Sequence, residues 1–374
     1  MKVTVSQANL AHGLGIVTHA VASRTTLAVL SNVLLATDEG RLRLSATNLE
    51  MGITCWIGCK IEEEGSITIP ARTLTDLVNT LPVGEVRLTL NPRTQSMEIK
   101  CGTTSSEIKG IDAQEFPPMP IADQGGGIEL NLSDLKDMIT QVIFAASIEE
   151  ARPVLMGAQI NMNENNVTMA AADGFRISIR SGQLSTAVAE PVSIIVPARA
   201  LAELARVTAD GNEMVRMSIP SGRGQVIFSL RDMEIASQLI EGKFPDINQI
   251  IPKAFKTRTV ITTAQFLKAC KQVEVIAREG AYVSRLNLKP VEGGPGEVEM
   301  NAANEETGSS DVVLDASIDG VPLLIAFNVR YLREVLEVIK TPNVALETSA
   351  NNTPGVIRPV GDDTYTHVIM PMHL

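Results

Sequence analysis

The 374-residue chain has few of the residues that mark several common protein classes. Aromatic side chains make up only 3% of it, which argues against a base-stacking surface for single-stranded nucleic acid. No apolar run reaches the roughly 18–20 residues of a membrane span, and the start, MKVTVSQANL, does not resemble a signal peptide. The cysteines are too few and too scattered for a disulfide framework; they are Cys55, Cys59, Cys101 and Cys270. We therefore expect reduced thiols, a cytoplasmic location and no membrane partner.

Motifs of catalysis and metal binding are also missing. There is no P-loop, nucleophile elbow or dinucleotide fingerprint, since GLG at 13–15 lacks a third glycine. His12 and His19 lie seven residues apart without a carboxylate in register, and no second pair of ligands completes a zinc site with Cys55 and Cys59. We therefore expect no enzymatic activity, no cofactor and no metal. A pair of acid–base carboxylates leaves no motif, so a nucleic-acid-processing enzyme with an unrecognised site is the first alternative.

What the chain does contain is an internal repeat. Three segments share a β-branched strand, an arginine and an amphipathic helix: ITIPARTLTDL (Ile67–Leu77), IIVPARALAEL (Ile194–Leu204) and IAFNVRYLREVL (Ile325–Leu336). Their arginines, Arg72, Arg199 and Arg330, are separated by 127 and 131 residues. In each copy the apolar positions follow i, i+3, i+4, i+7 spacing, which predicts one buried helix face.

Two independent landmarks give the same period. A short alternating strand ends in a predicted helix N-cap at Ser6, Ser133 and Thr263. An Asn or Asp turn follows a strand at Asn48, Asp173 and Asn304. We therefore predict three homologous domains, 1–121, 128–252 and 258–374, separated by the connectors IADQGGG (121–127) and KAFKTR (253–258). Each domain is expected to be an α+β unit with two helices on one side of antiparallel sheets.

The repeated chain resembles the bacterial DNA polymerase III beta subunit family, the sliding clamps. The resemblance rests on MKVTV at the start, LSNVLL (Leu30–Leu35), TNLEMGI (Thr47–Ile53), VPARAL (Val196–Leu201), GKFPDINQIIP (Gly242–Pro252), FNVRYL (Phe327–Leu332) and the terminal MPMHL. It implies a head-to-tail homodimeric ring, with the helices lining a channel for double-stranded DNA of any sequence. The implied partners are the DNA polymerase III catalytic subunit, a clamp loader, other replication and repair polymerases and ligase-type clients.

A formal net charge of −11 excludes a uniformly basic DNA-binding protein. The predicted helices 6–22, 71–80, 133–147, 198–208, 263–278 and 328–340 nevertheless sum to +3, which leaves −14 elsewhere. This sign suits a basic channel inside an acidic shell, although ordinary solvated helix faces would explain it too. The candidate DNA contacts off the apolar stripes are Arg72, Lys136, Arg199, Arg206, Lys268, Lys271, Arg330 and Arg333. The repeated arginine has an alternative role in bonding helix-end carbonyls.

The resemblance adds two loop arginines, Arg24 and Arg152, where family members touch DNA at the face of the ring. At Glu149 relatives often carry a polar amide, so a carboxylate there should weaken the DNA contact.

The resemblance also implies a cleft between the second and third domains that binds short peptides with apolar anchors. Its residues would be Leu155, Gly157, Ala172, Gly174, Phe175, Arg176, Ile177, Pro245, Gln249, Ile250, Asn328, Tyr331, Pro354, Val368, Ile369, Met370, Pro371 and Met372. The strongly apolar tail and its adaptable methionines fit such a site, and Arg176 or Gln249 could meet polar groups of a peptide. Phe175 and Gln249 replace a histidine and an arginine common in relatives, which disfavours acidic peptides. The alternative is that the tail is simply a closing edge strand.

For the dimer contact the resemblance points to Ile108 on one side and to Val275 and Ile276 on the other. The alternation in SSEIKGI (Ser105–Ile111) is typical of an edge strand, which can pair with a second chain. Ordinary packing inside the third domain would equally explain the apolar pair at 275–276. A second alternative for the whole chain is a repeat-built interaction hub without a role on DNA.

Overall fold

The computed structural model of the chain describes residues 1–122, 126–208, 213–220, 222 and 224–373. Part of the predicted connector 121–127 and the last residue of the predicted third domain lie outside these residues. The chain divides into two compact units, 1–132 with 207–239 and 133–206 with 240–374. Both units combine antiparallel sheets with helices, as expected for an α+β fold. In the described residues no helix is long and apolar enough to cross a membrane.

The helices are α1 (Gln7–Val17), α2 (Ala71–Thr80), α3 (Leu132–Val142), α4 (Ala198–Arg206), α5 (Ile247–Ile250), α6 (Thr263–Ala277) and α7 (Val329–Val338). The strands are β1 (Lys2–Ser6), β2 (Asn32–Asp38), β3 (Arg41–Thr47), β4 (Met51–Gly58), β5 (Lys60–Glu63), β6 (Ser66–Pro70), β7 (Glu85–Asn91), β8 (Ser96–Cys101), β9 (Thr104–Lys109), β10 (Ile128–Asn131), β11 (Gly157–Asn163), β12 (Asn166–Ala172), β13 (Arg176–Gln183), β14 (Val192–Pro197), β15 (Met214–Ser218), β16 (Gln225–Ser229), β17 (Met233–Gln238), β18 (Thr257–Thr262), β19 (Val283–Lys289), β20 (Gly296–Asn304), β21 (Gly308–Gly320), β22 (Leu323–Asn328), β23 (Asn343–Thr348), β24 (Gly355–Pro359) and β25 (Tyr365–Ile369).

The first unit contains two sheets. One has the order β5-β1-β7-β8-β9 and therefore ends at β9. The other has the order β10-β15-β16-β17-β4-β3-β2-β6 and joins strands of the first and second predicted repeats. Their junction is the antiparallel pair β17–β4, in which Met233–Ser237 lie opposite Met51–Cys55. Backbone hydrogen bonds thus continue one sheet from repeat to repeat.

The second unit repeats this arrangement in a twelve-stranded sheet, β14-β11-β12-β13-β25-β24-β23-β18-β21-β20-β19-β22. Here Arg176–Arg180 of β13 lie opposite Tyr365–Ile369 of β25. The C-terminal strand β25 therefore lies inside a sheet, between β13 and β24, and is not the closing edge strand of the alternative interpretation.

The predicted turn occurs in all three repeats with the same hydrogen bonds. The side-chain oxygens of Asn48, Asp173 and Asn304 each accept from the backbone N–H groups two and three residues later, at 2.8–3.1 Å. This Asx turn reverses the chain between two antiparallel strands because the side chain replaces a backbone acceptor. The predicted turn is confirmed at each position.

Only one of the three predicted N-caps is correct. Ser6 accepts from the backbone N–H of Asn9 at 3.2 Å. Ser133 lies inside α3, which begins one residue earlier. Thr263 lies inside α6, and its hydroxyl instead donates to the carbonyl of Thr341 at 2.8 Å. The three helices therefore begin at nearly equivalent positions, but they are not capped in the same way.

The predicted apolar stripes are the buried faces of the helices. In α7, for example, Leu332, Val335 and Leu336 are at most 1% exposed and belong to the core of the second unit. Most of the observed helices are shorter than predicted. In particular, α6 and α7 end before the basic residues Arg278 and Lys340, which the prediction had included. With these bounds the helices carry +1 rather than +3, so the contrast in charge is smaller than the sequence indicated.

A buried histidine lies at the β13–β25 junction. His367 is 0% exposed, its Nδ1 lies 2.7 Å from Ser178 Oγ, and its ring stacks on Phe144. Its Nε2 has no hydrogen-bond partner among the described residues. Burial, helped by the Arg176 charge, lowers the pKa of His367 to about 3.

This histidine should make stability depend on pH. In the unfolded chain it takes up a proton near pH 6.5, whereas in the folded chain it stays neutral to about pH 3. Stability is therefore lost as the pH falls below about 6.5, by about 1.4 kcal/mol per pH unit. Urea unfolding between pH 7 and 5 should show this slope, and His367→Asn should flatten it. The exposed control His373→Gln should keep it, and an unchanged slope in His367→Asn would contradict the assignment.

Candidate functional site

Several residues of the predicted peptide cleft lie together in a buried apolar cluster. Leu155, Ala172, Ile177 and Val368 are at most 5% exposed and belong to one apolar cluster, against which Ile250 of α5 packs. These residues come from a 3₁₀ turn, β12, β13, β25 and α5, so segments far apart in sequence build one apolar surface. Gly157 is buried at the start of β11, where a Cβ atom would lie 2.6 Å from the carbonyl oxygen of Val196.

Beside this cluster, two large apolar residues of the predicted cleft are exposed. The backbone N–H of Met370 donates to the carbonyl of Phe175 at 2.8 Å, and these two residues are 43% and 62% exposed. Ile369 is buried and pairs with Gly355, which places Pro354 at the same end of the sheet. Two large apolar side chains held side by side on paired backbones form a surface suited to apolar ligands.

The tail beyond β25 is tied down rather than frayed. The backbone N–H of Met372 donates to the carbonyl of Ala326 at 2.8 Å. Pro371 and Met372 are both half-buried. The tail thus runs from β13 to β22, and backbone hydrogen bonds hold Met370 and Met372 at its two ends.

The turn beside these two residues favours glycine. Gly174 has φ of +94°, and a Cβ atom there would lie 2.9 Å from Nη1 of Arg152. The left-handed region costs little for glycine but is strained for other residues. The aligned position of the first repeat is Leu49, which adopts φ of +75° despite its side chain.

Arg176 differs from expectation. Its side chain is only 7% exposed, and it donates from Nε to Asp173 at 3.1 Å, from Nη1 to Glu334 at 2.5 Å and from Nη2 to the carbonyl of Phe144 at 2.7 Å. Its guanidinium also lies 4.2 Å from the ring centre of Tyr331. Every nitrogen of the guanidinium is engaged inside the protein. The Arg176 side chain is therefore held by bonds inside the protein.

The remaining polar residues stand at the rim. Gln249 is exposed, and its amide donates to Asp246 at 3.0 Å, with the half-buried Pro245 just before this turn. Asn328 caps α7 by accepting from the backbone N–H groups of Arg330 and Tyr331. Burial raises the pKa of Tyr331 above its ordinary value. Gln249 is therefore better placed than Arg176 to bond a ligand.

Glu334 is the residue that the sequence reasoning missed. Its side chain is 18% exposed and accepts from both Arg176 and Arg330. The four-residue spacing from Arg330 was a visible signal of a helical ion pair. The bond to Arg176 spans 158 residues and left no pattern.

The predicted DNA contacts fall into two groups. Arg24, Arg152, Arg199 and Lys268 are exposed, and none of them bonds a carboxylate within the described residues. Arg72, Arg206, Lys271, Arg330 and Arg333 each pair with a carboxylate, and the half-buried Lys136 also has a partner. In the part of the chain that is described, none of the repeated arginines bonds helix-end carbonyls.

Arg333 is the least available of the paired cations. Its side chain is 23% exposed and lies 2.6 Å from Glu274 and 3.0 Å from Glu337.

Glu149 and Arg152 share one turn, in which the N–H of Arg152 donates to the Glu149 carbonyl at 3.4 Å. The exposed carboxylate therefore stands in the same loop as the predicted loop contact.

The predicted dimer residues lie on suitable elements. Ile108 is half-buried on β9, the terminal strand of its sheet. Val275 on α6 is 55% exposed, whereas Ile276 is half-buried and packs against the core of its unit. Ordinary packing therefore accounts for Ile276 but not for Val275.

The described residues hold no group of three or more His, Cys, Asp or Glu side chains placed to bind a metal ion.

Comparison with known proteins gives a consistent family. The N-terminal, central and C-terminal domain models of the DNA polymerase III beta subunit match residues 1–120, 129–246 and 248–373. The beta sliding clamp of Synechococcus elongatus is 31% identical, with all of both chains covered, and that of Staphylococcus aureus is 30% identical over 94% of both. The crystal structure of the Bacillus subtilis DNA polymerase sliding clamp aligns with a TM-score of 0.94 at 27% identity, covering 100% of this chain and 99% of that one. The chain belongs to the DNA polymerase III beta subunit family, the beta sliding clamps.

Proposed function

We propose that this chain is a non-catalytic processivity factor that encloses duplex DNA as a head-to-tail homodimer and tethers the replicative polymerase to it. The observation that carries the proposal is strand pairing between successive repeats, β17 on β4 and then β25 on β13. Each junction uses the last strand of one repeat and the strand after the Asx turn of the preceding repeat. The same rule leaves β9 of the first repeat and β21 of the third for a second copy.

The two remaining strands suit such pairing. β9 ends its sheet, and residues 308–316 of β21 pair with β20 on one side, whereas β18 pairs with β21 only over 317–320. A row of unpaired backbone groups is a template for another strand. We infer that β9 of one protomer pairs antiparallel with the first half of β21 of its partner. Two such contacts close a ring of six domains, with boundaries near 1–121, 128–252 and 258–374.

The predicted side-chain contacts are consistent with this closure. Ile108 lies on β9, and the exposed Val275 would supply an apolar contact from α6. A ring of this kind holds DNA by enclosure, so it needs only a few phosphate contacts. The unpaired Arg24, Arg152, Arg199 and Lys268 are the first candidates. The paired cations contribute less, Arg333 least of all, because phosphate must displace their carboxylates.

The cleft supports the tethering role. Its buried apolar floor and exposed Phe175 and Met370 suit a short peptide with apolar anchors. With Arg176 internally neutralised and Gln249 neutral, the site offers little attraction to acidic peptides. The polymerase catalytic subunit, clamp loader and other replication and repair proteins, including ligase-type clients, would dock here in turn. Such a protein acts on DNA in the cell interior.

The first test measures enclosure. The protein is loaded onto a nicked circular plasmid by the clamp loader of its own cell, and half of the sample is then cut once by a restriction enzyme. At high salt we expect retention on the circle and rapid loss from the linear duplex, because ends release a ring but salt does not. Gel filtration of labelled protein with DNA measures both. Equal loss from the two DNAs would favour the hub or simple electrostatic binding, and magnesium-dependent cleavage of the plasmid would favour the nuclease alternative.

The second test measures closure. Ile108→Asp or Val275→Asp should convert the dimer into a 40.1 kDa monomer, because a charge is buried without a partner. Sedimentation equilibrium at micromolar concentration checks this. Val360→Asp, which alters an exposed valine in the β24–β25 turn, is the matched control and should stay dimeric. Dimers for both interface variants would remove these residues from the contact.

The third test concerns the cleft. Met370→Ala and Tyr331→Ala should each weaken binding of a fluorescein-labelled octapeptide with two leucines and a phenylalanine by about 30-fold or more, the loss typical of an interface anchor. Fluorescence anisotropy measures binding, and sedimentation verifies that the dimer persists. Val291→Ala removes an exposed valine from the β19–β20 loop and should bind like wild type. Unchanged titration curves for both cleft variants would contradict the site.

A further inference from the structure

One carboxylate connects the cleft wall with the candidate DNA contacts. Glu334 of α7 lies 2.5 Å from Nη1 of Arg176 and 2.9 Å from Nε of Arg330, and Arg333 approaches it to 3.8 Å. Three cations therefore share one anion that is 18% exposed. Removing one partner of an ion pair this shielded has a larger effect than at the open surface, because it leaves a buried charge uncompensated.

We propose that Glu334 is a positioning residue for the peptide cleft and at the same time restrains the arginines of α7 from binding DNA, an inference that rests on the proposed clamp function. On the cleft side it fixes Arg176, whose guanidinium lies 4.2 Å from the ring centre of the cleft residue Tyr331. On the helix side it neutralises Arg330. Loss of this single charge therefore affects the two sites in opposite directions.

The cleft effect follows from the bonds of Arg176. Asp173 accepts a hydrogen bond from Nε, and the Phe144 carbonyl accepts one from Nη2. Glu334 accepts from Nη1 and thereby fixes the orientation of that end of the guanidinium. Without the carboxylate, the guanidinium keeps only one ionic partner and can tilt away from its stacked position. The Tyr331 ring then loses the Arg176 guanidinium against which it packs. A peptide that binds beside Tyr331 must fix the position of this ring, which weakens binding.

The DNA effect follows from competition. A phosphate that binds Arg330 must first displace Glu334, to which the arginine donates. This pair also raises the pKa of Arg330, the direction expected when the charged form is stabilised. Replacing the carboxylate by an amide removes the charged group bonded to Arg330, although Glu274 stays nearby, so a freed cation can release one more DNA counterion.

Glu337 provides a control with the same change in charge. It lies one turn further along α7 and pairs with Lys271 at 3.1 Å and Arg333 at 3.0 Å. It has no bond to Arg176 in the described residues. Glu334→Gln and Glu337→Gln therefore both remove one negative charge beside candidate DNA contacts, but only the first touches the cleft wall.

The experiment compares these two variants as full-length dimers. For Glu334→Gln we expect about tenfold weaker binding of the labelled octapeptide, the loss of a charge-assisted hydrogen bond, and tighter binding of a short linear duplex at low salt. The slope of log K against log salt should steepen by about 0.9 for each freed cation. Glu337→Gln should share the DNA effect and keep wild-type peptide affinity.

A second readout reports on the wall directly. The chain has three tyrosines, so 3-fluorotyrosine labelling gives three ¹⁹F signals, assignable by Tyr→Phe variants. Glu334→Gln should shift the signal of Tyr331 and leave that of the buried Tyr365 in place, whereas global unfolding would move both. Equal peptide affinity for the two variants, or an unmoved Tyr331 signal, would overturn the inference. Absence of peptide binding by the wild type would instead refute the proposed cleft itself.

Discussion

The structure depends on backbone hydrogen bonding between strands of successive repeats. At both junctions inside the chain, five residues of one strand lie antiparallel to five of the next repeat. Such a junction needs no particular side chains, because the donors and acceptors are main-chain groups. Three repeats that differ at most positions can therefore be joined by the same geometry, and the proposed contact between two chains would use it again.

Side chains then give each junction its own character. At β13–β25 the paired strands carry Ser178, His367 and Tyr365, whose polar atoms meet inside the sheet. At β17–β4 the corresponding positions are the apolar residues Ile53, Ile235 and Met233. The β13–β25 junction is also the one at whose end Phe175 and Met370 are exposed. The same backbone pattern is thus compatible with the proposed binding surface at one junction without requiring it at the other.

The sequence allowed prediction of what the repeat encodes locally. The Asx turns at Asn48, Asp173 and Asn304 and the buried helix stripes were predictable because they depend on residues within a few positions of each other. The role of Arg176 was not, since its partners Phe144 and Glu334 lie 32 and 158 residues away. For the same reason, the charge of the helices overestimated the cations available to DNA: a count of residues does not reveal which of them are already paired.

That pairing agrees with the mode of DNA binding expected of a clamp. A ring that slides must not hold phosphates strongly, because each strong contact is a barrier to movement along the duplex. We propose that the carboxylates beside Lys271, Arg330 and Arg333 lower the affinity of these cations for DNA while keeping their side chains in place. A bare basic surface would bind DNA tightly, and a neutral one would not centre it. Cations held in exchangeable ion pairs would lie between these limits, so that enclosure rather than adhesion would retain the proposed ring on the duplex.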